Sequence, residues 1–148
     1  MLSHMRILPV LLLTALAVPA AGAVQGSAPR RAPSAQQSGP EGVWRNNRDS
    51  VRIRVARCGP ALCGRVVQAD ARAQADAAAG GTARLVGTDL FRGLTRGPDG
   101  LWYGQVFVPD LGRAVDGTLR QAARDTLVAE GCLVAGFGCR AQTWTRVR

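Results

Sequence analysis

From residue 43 to residue 147 the chain is organised by alternation. Val51, Ile53 and Val55 interleave with Arg52 and Arg54, the period-2 signature of a strand with one dry and one wet face. The turn residues Gly59-Pro60 separate this run from a second apolar run ending at Val67, and Cys58 and Cys63 flank the turn. This stretch reads as a β-hairpin stapled at its tip. Eight stretches read as strands: Val43 to Asn46, Ser50 to Arg57, Cys63 to Ala69, Thr88 to Leu94, Leu101 to Val108, Arg113 to Gln121, Thr126 to Cys132, and Arg140 to Val147. Asn46-Asn47-Arg48-Asp49, Pro98-Asp99-Gly100, Pro109-Asp110-Leu111-Gly112 and Arg124-Asp125 supply turns between them. Short strands joined mostly by tight turns predict an all-β fold, an eight-stranded antiparallel up-and-down barrel. Gly104 and Gly117 inside strands suit barrel corners.

One connection breaks the rhythm. Ala69 to Ala79 is alanine-rich enough for two or three helical turns, stopped by Gly80-Gly81. It reads as a mobile surface insertion. In an up-and-down barrel it shares one end with the Pro109 turn and the Cys132–Cys139 loop, which makes that end the candidate mouth. The other end collects the Gly59-Pro60, Pro98 and Arg124 turns with both chain ends. The loop Leu133-Val134-Ala135-Gly136-Phe137 is apolar for a hairpin tip. It is expected to fold inward and plug the barrel; contact with a ligand, partner or membrane surface is the competing expectation. Leu133, Val134 and Phe137, with Trp102 and Phe107 in the strands, are the candidate ligand contacts. Strand parity adds a floor: if Cys132 and Cys139 point outward, Trp144 and Arg146 point inward, and Trp44 meets Arg146 across the closed end. An arginine over an indole gains about 0.5 to 2 kcal/mol.

The chain opens with Met5-Arg6 and an apolar run from Ile7 to Val18, closed by small residues up to Ala23. This is the layout of a signal peptide over 1–23, too short for a transmembrane span, so the chain is expected to be exported, periplasmic or secreted, with no span left after cleavage. Residues 24–40, rich in Ala, Gln, Ser, Gly and Pro, read as a disordered linker, and 41–148 as the folded domain. Export turns the four cysteines into a disulfide framework rather than a metal site. Three pairings are open to sequence; the local pairs Cys58–Cys63 and Cys132–Cys139 are favoured because each brackets a glycine-containing turn. Each would contribute about 2 to 2.5 kcal/mol on the loop-entropy model.

The formal charge of +9 comes from 19 basic residues, all arginine, against 10 acidic ones. Such a balance draws anionic matter over long range, and an acidic envelope component is an expected partner, read by outward arginines such as Arg52, Arg54 and Arg65. Nucleic acid is not an expected partner, because the arginines are scattered and not interleaved with aromatics. The single histidine, His4, lies in the leader, and lysine is absent. That removes Ser-His-Asp and Cys-His sites, Schiff-base lysines and histidine zinc sites, so neither metal nor cofactor is expected. Asp89, Asp99, Asp110, Asp116, Asp125, Glu130 and a few other carboxylates remain, mostly beside glycine or at turns, where Asp caps backbone. The expectation is a non-enzyme that holds a small apolar or amphipathic ligand in its barrel, with the acidic-partner role as the alternative.

Specific motifs support this outline. Gly42-Val43-Trp44, Val51-Arg52-Ile53 and Leu62-Cys63-Gly64-Arg65-Val66-Val67 stand in the first half. Trp102-Tyr103-Gly104, Val108-Pro109-Asp110, Leu127-Val128-Ala129-Glu130-Gly131 and Gln142-Thr143-Trp144-Thr145-Arg146 complete the set. Together they resemble the exported bacterial family called domain of unknown function 2147, and more distantly the lipocalin and avidin pattern. The resemblance covers 41–148 and implies a lipocalin-like barrel without implying an activity. Two features depart from it: Gly112-Arg113-Ala114-Val115 stands where similar proteins often carry Gly-Lys-Thr-Tyr, and the insertion is alanine-rich instead of polar.

Overall fold

The computed structural model describes residues 39–134 and 136–148. The predicted leader and residues 24–38 of the predicted linker lie outside the described residues. Eight antiparallel strands close into one barrel in chain order. They are β1 (Gly42–Asn46), β2 (Val51–Cys58), β3 (Ala61–Ala69), β4 (Asp89–Arg96), β5 (Trp102–Val108), β6 (Arg113–Ala123), β7 (Thr126–Val134) and β8 (Phe137–Arg146). A helix, α1 (Ala71–Ala79), follows β3, and a 3-10 turn, Pro109–Leu111, joins β5 to β6. The ring is sealed where Trp44, Arg45 and Asn46 of β1 face Arg146, Thr145 and Trp144 of β8. The expected up-and-down topology is therefore the observed one.

Alternation does the sorting. Ile53 and Val55 of β2, Leu62 and Val66 of β3, Trp102 of β5, Leu119 of β6, Leu127 and Ala129 of β7 and Trp144 of β8 are all buried in one cluster. The lumen is filled rather than hollow along much of its length. Phe91 stands edge-on to Trp144 with ring centroids 6.1 Å apart, and its ring occupies the space a side chain at Gly64 would need. Gly117 faces Gly104 across β5 and β6. A Cβ at Gly117 would lie 2.4 Å from the Glu130 carbonyl oxygen and 2.6 Å from Val106 Cγ2. Only a residue without a side chain lets the wall coil this tightly. Such close approach is how an eight-stranded ring fills its interior with side chains.

The floor is a single polar clamp on an aromatic ring. The Arg146 guanidinium lies 4.1 Å from the Trp44 ring centroid. It donates to the carbonyls of Glu41 at 2.7 Å, Gly39 at 2.6 Å and Arg124 at 3.1 Å. The Trp44 indole N–H donates to the Pro40 carbonyl at 2.8 Å. Gly39 and Pro40, the last residues of the predicted linker, are thus held in the floor. Burial pushes the Arg146 guanidinium's proton affinity down, and Asp125 partly restores it.

The opposite end is closed by the insertion, which corrects two expectations. The Ala-rich segment is docked, not a mobile insertion. Asp70 caps α1 by accepting from the Ala73 N–H at 2.7 Å, and Ala77 is fully buried. Beyond the helix the Thr82 hydroxyl donates to the Pro109 carbonyl at 2.8 Å, and Leu85 joins the core. The apolar hairpin tip, in turn, does not fold inward: Leu133, Val134 and Phe137 are 43%, 67% and 77% exposed. β7 and β8 run past the disulfide to a Val134–Phe137 pair, because strand-forming residues continue beyond Cys132. Small alanines on α1 reach closely onto the barrel end, and that leaves the bulky tip outside.

Arg146→Ala removes three charge-assisted hydrogen bonds and the contact with Trp44, and is expected to destabilise the fold by about 2 to 4 kcal/mol. Arg146→Lys should recover less than half of this, because an ammonium lacks the planar fork that meets three carbonyls. Urea unfolding followed by tryptophan fluorescence checks both; equal stability of all three proteins would refute the clamp.

Candidate functional site

A concave feature sits on the wall, at the place where β7 peels away from β6. β5 and β6 pair from Trp102–Leu119 through Val108–Arg113. β6 and β7 pair only as far as Asp116–Cys132, while β7 and β8 continue together to Val134–Phe137. Arg113 to Val115 therefore have no ladder partner on their β7 side among the described residues. The gap is an open groove of about 810 Å³, lined by Arg113, Ala114, Val115, Leu133, Val134 and Gly136. It extends along the wall to Tyr103, Gln105, Asp116 and Thr118. The disulfide Cys132–Cys139 crosses the base of the peeling hairpin, and Cys132 itself lines the groove.

The lining offers one guanidinium, one carboxylate, an amide, a phenol and a hydroxyl beside four apolar side chains, an amphipathic wall. Asp116 is its single carboxylate, so a paired-carboxylate mechanism has no second member there. Glu130, Cys132 and Cys139 gather within 4.8 Å, but both sulfurs are committed to the disulfide and make no thiolate ligand set. Inside the barrel, the buried Trp144 indole nitrogen has no hydrogen-bond acceptor among the described residues.

The structure separates the five predicted ligand contacts. Leu133 and Val134 line the groove and Phe137 stands at the tip beside them. Trp102 is buried near the floor, with the Arg57 and Arg96 guanidinium carbons 5.2 and 5.9 Å from its ring. Phe107 is half-buried on β5, with Arg92 stacked 4.4 Å from its centroid. Trp44, Trp144 and Arg146 occupy the lumen and floor, and the sulfurs pair as Cys58–Cys63 and Cys132–Cys139. Sequence reading missed Arg113, Ala114 and Val115 as a lining, because nothing local reveals where a ladder stops. The facing glycines at 104 and 117 were the available trace of a distorted wall.

Of the three outward arginines named from the sequence, Arg52 and Arg65 are engaged within the protein, and Arg54 has no ion pair among the described residues. Arg52 donates through Nε and Nη2 to both Asp49 oxygens at 2.8 Å. Arg65 grips Asp89 at 2.8 and 3.1 Å, and Arg57 meets Glu41 at 2.8 Å. A second groove, about 690 Å³ near the floor, gathers arginines with no ion pair among the described residues: Arg96, Arg120 and Arg124. Hydrogen bonds from Arg52 and Arg65 hold the Asp49 and Asp89 carboxyls below the usual carboxylate range. Asp99 is lowered likewise by the Tyr103 hydroxyl and the Leu101 N–H, and the Tyr103 phenol is raised by the same bond. No helix among the described residues is long and apolar enough to cross a membrane.

A protein-family model described as an uncharacterized protein conserved in bacteria (DUF2147) matches residues 42–146. No curated protein and no solved structure matches the chain.

The lowered carboxyls give stability a small pH dependence, because exposed pairs are screened by solvent. Their pairs are fully formed above the ordinary carboxylate pKa and are lost as protons bind on the way down through the folded values. Thermal unfolding midpoints should be flat from neutral pH to about pH 5 and fall below about pH 4. The Asp49→Asn/Asp89→Asn double variant should show a shallower acid slope; an unchanged slope would remove these pairs from the account.

Proposed function

The chain belongs to the DUF2147 family of uncharacterised bacterial proteins, and from that premise we propose that it is an exported envelope protein that binds a small amphipathic ligand on the outer wall of its barrel. The groove between β6 and the β7–β8 hairpin carries this reading. It combines about 810 Å³ of open space with apolar Ala114, Val115, Leu133 and Val134 and the Arg113 guanidinium. The lumen is a poorer host, since Trp44, Phe91, Ile53 and Leu62 lie buried in it with less than 2% exposure. An acidic head group against Arg113 and an apolar body along Leu133 and Val134 would satisfy both halves of the lining. Export is supported by the two disulfides, which persist in oxidising compartments, and by the leader pattern. No catalytic role is proposed.

An acidic-partner role is the second reading, and the floor groove favours it over the face first expected. Arg52 and Arg65 are tied to Asp49 and Asp89, whereas Arg96, Arg120 and Arg124 line one concave surface. An acidic polymer would bind there with strong salt dependence.

Titration with 1-anilinonaphthalene-8-sulfonate, an amphipathic anion, tests the choice. Arg113→Ala and Leu133→Ser are each expected to weaken its binding about tenfold, with Arg96→Ala/Arg120→Ala without effect. Binding insensitive to Arg113 and Leu133 would overturn the wall groove, and loss in the Arg96/Arg120 variant would move the site to the floor.

A further inference from the structure

The exposed apolar surface of this barrel is not scattered. Among the described residues, seven large apolar side chains are exposed: Val67, Val86, Tyr103, Leu111, Leu133, Val134 and Phe137. All but Tyr103 belong to the end that carries α1, the Pro109–Leu111 turn and the β7–β8 hairpin. The most exposed of them, Phe137 at 77% and Val134 at 67%, form a cross-strand pair at the outermost register of the hairpin. Leu133 precedes Val134 on β7 and so points to the opposite face. The tip thus has apolar residues on both faces, with Leu111, 50% exposed, on the neighbouring β5–β6 connection.

We propose that this hairpin tip is a membrane anchor that seats the barrel, α1 end down, on an anionic lipid bilayer. A flat protein partner would cover one face of a two-stranded ribbon and leave the other wet. A bilayer surrounds both. The disulfide Cys132–Cys139 joins the strands directly opposite each other below the tip, so the projecting pair is held in place before contact and loses little freedom on insertion. Arg113 opens β6 beside the tip and Arg140 lies one residue below the bridge on β8; both are exposed and neither has an ion pair among the described residues. Their charge matches lipid phosphate at the depth where an apolar tip would place them. Asp116 and Glu130 sit at or below the bridge, on the barrel side. These two carboxylates are therefore farther from the bilayer than the Val134–Phe137 pair; exposed Asp110, beside Leu111 on the β5–β6 connection, is the acidic group at this end that Arg113 and Arg140 must outweigh. This anchor does not depend on the wall groove holding a ligand, since neither Phe137 nor Leu111 lines it.

Co-sedimentation of the exported full-length product with phosphatidylglycerol vesicles tests the proposal. Phe137→Ser/Leu111→Ser should reduce partitioning about tenfold or more, and Arg140→Ala about threefold at low salt only. Pure phosphatidylcholine vesicles should bind the unaltered protein more weakly. As a direct readout in a variant that keeps the apolar tip, Phe137→Trp should give an added indole signal quenched by brominated phosphatidylglycerol. Undiminished partitioning of the serine variant, or an unquenched indole at position 137, would overturn the anchor. So would a lipid-free dimer in sedimentation velocity that the serine variant abolishes, because the tip would then pair with a second copy. Dye binding at the wall groove is read in the same serine variant, so loss of the anchor and loss of the groove are told apart.

Discussion

Closing eight strands into a ring fixes how much room the inside has, and that volume governs the rest of this molecule. An eight-stranded barrel is just wide enough for side chains to meet across it or to admit one small guest. Here side chains win. Trp44, Phe91, Trp144 and Trp102 all lie in the core cluster, and the wall has given up its own side chains at Gly64, Gly104, Gly117 and Gly131 to let neighbouring groups press in. A Cβ at any of these positions would stand closer than 3.0 Å to an existing atom. The interior is thus a core, and the surface open to any partner lies at the rims and on the outer wall.

The two rims are closed by different physics. At the floor, closure is polar: one guanidinium satisfies carbonyls that enter from the start of the domain and from the β6–β7 turn, while its flat face covers an indole. A half-buried cation is tolerable here because three backbone carbonyls accept from it. At the other end closure is apolar and steric, with Ala77 and Leu85 laid over the barrel. Gly80 lies so close to Asp110 that a Cβ would reach 2.2 Å from its carbonyl oxygen. The insertion and the β5–β6 turn are therefore interlocked by backbone proximity, which leaves the β7–β8 hairpin with no place at the barrel end.

Much of this was legible in the chain. Period-2 alternation located every strand, and parity carried from Cys132 and Cys139 put Trp44 opposite Arg146, because inward and outward positions propagate along a strand without error until a bulge intervenes. Bulges are where legibility stopped. The register shifts between Arg52 and Ile53, and again between Arg92 and Thr95, and no local composition announces either. The choice between two candidate plugs also lay beyond the sequence. Leu133, Val134 and Phe137 are far more apolar than an alanine helix, yet hydrophobicity measures only the gain on burial, not whether a segment can reach the core. Ala77 reaches because it is small and its helix is capped at Asp70. Phe137 does not, because it lies at the end of a ribbon already committed to pointing away.

Electrostatics completes the argument from the same geometry. A formal charge of +9 suggests a surface that attracts anions everywhere, but the ion pairs of Arg52, Arg57 and Arg65 localise much of it inside the protein's own surface. Exposed pairs of this kind contribute little stability, yet they decide which arginines are left to meet a partner. Others, Arg54 on β2 and Arg92 on β4 among them, also have no ion pair among the described residues, but two groups gather near the ends: Arg96, Arg120 and Arg124 by the floor groove, and Arg113 and Arg140 by the hairpin. Only the second group stands beside exposed Leu133, Val134 and Phe137. Cationic and apolar groups side by side select for a partner that is itself anionic and apolar within a few ångströms, which is the cross-section of a lipid head group and its chain. A soluble acidic polymer matches the charge and leaves the apolar tip in water; a purely apolar ligand leaves the guanidinium groups without a partner. The filled lumen and the docked helix therefore leave the outer wall and the rims as the open surface, and the hairpin end is where its cationic and most exposed apolar groups meet.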